Sequence, residues 1–168
     1  MTGARTTERE TARDAWRRIV ASSLDWGQAH VTLARAVDGL PARLRGRRPQ
    51  GSPYSVWELL EHIRITQRDL LEFCTNPAYR EPEWPDDYWP HSPEPESDGA
   101  WEDSLAAIER DREELRRWTE TAPLDLTAKI PHGTGQTYLR TVLVALDHLA
   151  YHTGQIVLVR RLLGAWEG

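Results

Sequence analysis

Two histidines one helical turn apart, in Leu146-Asp147-His148-Leu149-Ala150-Tyr151-His152, and a third in Val56-Trp57-Glu58-Leu59-Leu60-Glu61-His62-Ile63 are the residues best suited to chemistry. Residues four apart on an α-helix share a face. His148 and His152 therefore aim at one point, and a neighbouring helix can bring His62 there. Three neutral nitrogen donors suit a divalent metal with an open coordination position. Such a metal would acidify a bound water toward hydroxide, or turn an incoming thiol into its thiolate. Taken singly, each histidine reads first as a hydrogen-bonded core residue.

Other side chains bear on the same chemistry. Glu58, one turn before His62, can be a fourth ligand, an orienting group or a general base, and equally a helix charge or cap partner. Gln155 shares a face with His152 and can orient a bound water or make an interhelical hydrogen bond. Trp84, Tyr88 and Trp89 are large packing surfaces that would make a lid over the metal mouth. His30 lies on an apolar stripe with Trp26 and Leu33 and reads as a core histidine. His91 sits among prolines, and His132 lies between Pro131 and Gly133. Cys74, the one cysteine, has no adjacent base, so a buried, inert thiol is expected, and an intrachain disulfide is excluded.

A chain of 168 residues favours a single domain with a sizeable core. Lys and Arg number 21 against 26 Asp and Glu, and no long basic stripe occurs, so the footprint of a nucleic-acid binder is missing. The run Arg43-Leu44-Arg45-Gly46-Arg47-Arg48 reads as a solvated loop. No segment of about 18 apolar residues and no signal-peptide core is present, which implies a cytoplasmic protein that does not enter the membrane.

Apolar residues recur at the helical period throughout. Thr7 with Glu10 resembles a capping box ahead of Ala12, Trp16, Ile19 and Val20. Asp25 and Gln28 cap a further stretch in which Trp26, His30, Leu33, Val37 and Leu40 share a face, and the two stretches can be one kinked helix. Ser55 with Glu58 caps a helix running to about Thr75. Between Asn76 and Gly99 six prolines alternate with Trp84, Tyr88 and Trp89, implying an ordered crossover packed on the bundle. Helices follow at about Ala100–Thr121 and Thr137–Leu163. The implied fold is an all-α, up-down-down-up four-helix bundle. It has a long Pro/Trp-rich crossover between helices two and three, and one domain over 1–168 in which 1–23 is a helical extension. The end, Leu162-Leu163-Gly164-Ala165-Trp166, either stays exposed for dimerisation or folds back.

The run Asp147-His148-Leu149-Ala150-Tyr151-His152-Thr153-Gly154-Gln155-Ile156-Val157, with Arg160-Arg161-Leu162-Leu163-Gly164-Ala165-Trp166, resembles the last helix of the DinB-like superfamily. The same branch carries Trp-Glu-Leu-Leu-Glu-His-Ile on its second helix. Trp84-Pro85-Asp86-Asp87-Tyr88-Trp89-Pro90 and Ile130-Pro131-His132-Gly133 extend the likeness over roughly residues 24 to 166. The resemblance implies an often dimeric bundle that holds zinc or nickel on His62, His148 and His152. Relatives often carry arginine where this chain has Thr153. It also implies a small-molecule substrate and one of several activities: thiol transfer with a low-molecular-weight thiol as co-substrate, thiol-assisted isomerisation, or hydrolysis of strained rings in self-resistance. A non-catalytic, stress-associated scaffold stabilised by metal is the reading of a different class.

Overall fold

Hydroxyl side chains start four of the helices. Thr32, Ser55, Ser97 and Thr137 each stand in extended backbone and accept a hydrogen bond from the amide three residues on. At Ser55 the box is complete, because the Glu58 carboxylate in turn accepts from the Ser55 amide.

The computed structural model describes residues 14–25 and 27–167. Residues 14–23 are helical (α1), followed by α2 (Leu33–Val37), α3 (Val56–Thr75), α4 (Asp98–Thr121) and α5 (Tyr138–Leu162). Short 3-10 turns occur at Ala42–Leu44 and Asp86–Tyr88. The fold is all-α, with no strand among the described residues. α5 is long and apolar enough to cross a membrane by length and composition. This corrects the expectation that no segment of about 18 apolar residues exists; a third of that apolar window is buried inside the protein.

α3 packs against both α4 and α5. One core gathers Val56, Leu59, Leu60 and Ile63 of α3, Trp101 and Ile108 of α4, Ile156 and Val159 of α5, and Ala36 and Val37 of α2. A second, smaller one joins Leu24, Leu71, Leu115, Val142 and Ala145. Burial of each such Leu or Ile contributes about 1.5–3 kcal/mol. Because neighbours surround it, the N-terminal half of α3 is buried on nearly every side, including Glu58, Glu61 and His62. Polar groups placed there must find partners inside the protein.

The two N-terminal stretches do not form one kinked helix, and the second begins later than a cap at Asp25 implies. The proposed cap at Thr7 and the stripe residue Ala12 lie outside the described residues, as does Trp26. Asp25 stands in a turn, residues 28–30 are bends, and helix resumes only at Leu33. The causes are local. Gly27 has low helix propensity, Val31 and Thr32 are β-branched, and the Thr32 hydroxyl caps the Arg35 amide and so restarts the helix there. Gly39, at φ +65°, closes α2. At the other end of the chain, Arg160 is buried and donates to the carbonyls of Ala36 and Ala165, and its guanidinium lies 5.0 Å from the Trp166 ring. The terminal segment thus folds back instead of projecting.

Candidate metal centre

His62 sits in the buried part of α3, and its Nδ1 lies 2.7 Å from the Tyr88 carbonyl oxygen. A carbonyl only accepts, so Nδ1 carries the proton and Nε2 presents its lone pair. On α5, His152 Nδ1 lies 2.6 Å from Gln155 Oε1, which fixes the same tautomer there. His148 Nε2 approaches His62 Nε2 at 3.0 Å. The three rings stand 4.3–4.8 Å apart between centroids.

The donor atoms of His62, His148 and His152 all lie within 4.8 Å of one another, close enough to hold a metal ion. Tetrahedral zinc–imidazole bonds of about 2.0–2.1 Å place nitrogens roughly 3.3 Å apart, so small side-chain rotations suffice. Two of the three rings already have the outward nitrogen occupied by an acceptor, the arrangement that orients metal-ligating histidines. Burial, and then the neighbouring His152 and His62, push His148 down to about 3. Burial also lowers His62 and His152, against the raising effect of Tyr88 and Gln155. All three are neutral donors at neutral pH.

The segment between α3 and α4 closes over His62. The Trp89 ring stacks on the imidazole at 3.9 Å and nearly parallel, and Tyr54 stacks on the far face of Trp89 at 4.3 Å. Tyr88 is pinned by its side chain as well as its carbonyl, since its hydroxyl donates to Asp69 Oδ2 at 2.9 Å. Tyr79 donates to the other oxygen at 2.6 Å. Asp69 lies two turns beyond His62 on α3, so a single helix holds this segment at two points.

Of the sequence-derived candidates, the structure brings together His62, His148, His152, Gln155, Tyr88 and Trp89. Gln155 Oε1 faces His152 Nδ1. Trp84 is exposed and leans on Tyr88 at 5.4 Å. Glu58 is buried outside the cluster, where both carboxylate oxygens are engaged by Arg48 and one also by the Ser55 amide. Burial alone would raise its pKa, but these hydrogen bonds hold the carboxyl below the usual range. His30 engages the Val31 carbonyl, and His132 the Phe73 carbonyl. Cys74 is buried, which pushes its thiol up to about 12 and leaves it inert. Thr153 is buried with its hydroxyl unpartnered.

Asp69, Tyr79, Tyr54 and Arg48 escape a reading of the sequence. Asp69 alone leaves a trace, its spacing of seven from His62, which keeps both on one side of α3. Arg48 comes from an aperiodic loop, and a main-chain carbonyl such as that of Tyr88 has no residue-type signature.

A family model described as the DinB superfamily matches residues 25–156. No curated protein and no solved structure matches the chain.

Proposed function

The chain belongs to the DinB superfamily, and on that premise we propose that it is a divalent-metal-dependent enzyme transferring a thiol to a small electrophile. The observation that carries the reading is the convergence of His62, His148 and His152, two of them held in the ligating tautomer by Tyr88 and Gln155. We take the metal to be zinc or nickel, as the superfamily resemblance implies; both accept imidazole nitrogens. Once bound, it would supply Lewis acidity and lower the pKa of a thiol or water. We assign the helices to an up-down-down-up bundle, with the Pro/Trp-rich segment as the crossover between its second and third members.

One feature favours an enzyme over a metal-stabilised scaffold. A structural site is normally closed by four protein ligands, and the candidates for a fourth, Glu58, His30 and His132, all have partners elsewhere. The surroundings also favour thiol transfer over hydrolysis. Attack by water profits from a nearby general base, and among the described residues no carboxylate joins the histidines. A thiol that has lost its proton needs no such base. The chain's own part is to hold the imidazoles neutral, to fix their tautomers and to cover one side with Trp89.

The test is a rate measurement with reloaded protein, a panel of low-molecular-weight thiols and a chromogenic haloarene. Thiol consumption that stops on chelation and in His62→Ala supports the proposal. Turnover that survives chelation, or ester hydrolysis without thiol, would replace it.

A further inference from the structure

A cavity of about 730 Å³ lies between α2, α4 and α5, and none of His62, His148 and His152 is among the described residues that line it. It stands where α1 has ended and α2 has not begun, so Leu24, His30 and Leu33 form its wall there in place of a continuous helix. Its size suits one small organic molecule. α5 contributes Leu149 and Thr153, each one residue beyond a histidine of the cluster. The cavity and the candidate metal centre thus occupy neighbouring faces of the same turns.

The charges around the cavity are closed among themselves. Asp25 and Glu109 both engage Arg112, Glu102 reaches Arg45 at 4.0 Å, and Asp38 faces Arg35 at 3.4 Å. Arg45 is taken up further by Asp98 at 2.8 Å and by the Trp101 ring at 4.6 Å. Each carboxylate in the wall therefore has a guanidinium, and each wall arginine has carboxylates. An ion entering here would shed water without gaining an unopposed counter-charge, which is costly. Leu33, Leu105, Ile108 and Leu149 in the same wall reward an apolar body instead.

Two polar atoms of the lining residues are left over. Thr153 Oγ1 and Arg45 Nε are buried and have no hydrogen-bond partner among the described residues, and Thr153 is only 1% exposed. A buried polar group without a partner is destabilising and calls for an explanation. Both atoms can donate, the hydroxyl through its proton and Nε through its N–H, so both call for an acceptor oxygen. We propose that this cavity binds an uncharged, largely apolar small molecule through a carbonyl oxygen, with Thr153 and Arg45 as donors, at a site separate from the histidine cluster. The inference rests neither on bound metal nor on thiol transfer.

The test titrates the full chain, stripped and metal-reloaded, with prodan, an uncharged naphthyl ketone whose emission reports an apolar environment. One saturable site of equal affinity in both forms is expected. Ala34→Trp places a large side chain at the exposed rim and leaves the core undisturbed; it is expected to abolish binding. Thr153→Val removes the hydroxyl at nearly constant shape. Affinity is expected to fall roughly three- to tenfold, while the melting temperature of the ligand-free protein rises because an unpaired buried hydroxyl is gone. A hydroxyl that serves the fold would lower that temperature when removed. Anilinonaphthalene sulfonate and a trimethylammonium naphthalene, the anionic and cationic counterparts, are expected to bind roughly tenfold or more weakly than prodan. No saturable prodan binding, binding that metal abolishes or that Ala34→Trp leaves intact, unaltered affinity or a lower melting temperature in Thr153→Val, or preference for a charged probe overturns the proposal.

Discussion

Gln155 does at residue scale what the ligands cannot do for themselves, holding the His152 proton on Nδ1 so that Nε2 stays free. Gln155→Leu keeps the volume and removes the acceptor. Metal affinity measured by competition with a chromophoric chelator is expected to fall roughly 10–100-fold, and an unchanged affinity would deny the glutamine its orienting role. The histidines also set a pH dependence. In the unfolded chain they titrate near about 6.5, whereas burial and mutual repulsion keep folded His148 neutral down to about 3. Between those values the unfolded state binds protons that the native state excludes, so metal-free stability falls as pH drops through the window. Thermal melts of stripped protein should show the midpoint falling from about pH 6.5 downward; a flat profile contradicts buried neutral imidazoles. The meeting of His148 and His152 was legible in the sequence, since a spacing of four on a strongly apolar helix leaves few orientations, and His62 completes a cluster that could hold a metal ion. Glu58 was legible only as a cap. Its carboxylate is engaged by Arg48 and the Ser55 amide, and no periodic signal announces a loop arginine.

At the scale of elements, α3 is the organiser. It carries His62, packs on α4 and α5, and through Asp69 holds the segment that covers the site. Removing that carboxylate leaves the Tyr79 and Tyr88 hydroxyls without their acceptor, and Tyr88 is buried. Asp69→Ala is expected to cost about 1–3 kcal/mol in chemical denaturation and to weaken metal binding, with Asp69→Asn in between. Lost stability with intact metal affinity would separate the clamp from the site. The three long helices were readable to within two residues because caps and apolar period agree, as at Ser55 and Thr137. α1 and α2 were not, because Gly27, Val31 and the capping Thr32 interrupt an apolar stripe whose spacing alone looks continuous.

At the scale of the whole molecule, the helical class follows from apolar period alone, whereas the pairing of elements does not. That α3 lies between α4 and α5 depends on shapes filled by Trp57, Trp101 and Ile156 together, and no single segment carries that information. The Arg160 clasp between Ala36 and Ala165 is illegible for the same reason, since both of its acceptors are main-chain carbonyls. The family match places the histidine cluster in a superfamily setting, and the structure adds the oriented tautomers and the cover of Trp89. The proposed function rests on His62, His148 and His152 together holding one divalent ion. The most direct measurement is the metal content of stripped and reloaded protein by elemental analysis, wild type beside His148→Ala, with circular dichroism to verify the fold of the variant. One zinc or nickel ion per wild-type chain and none in the folded variant is the expected outcome. No retained metal in the wild type, or equal metal in both, would contradict it.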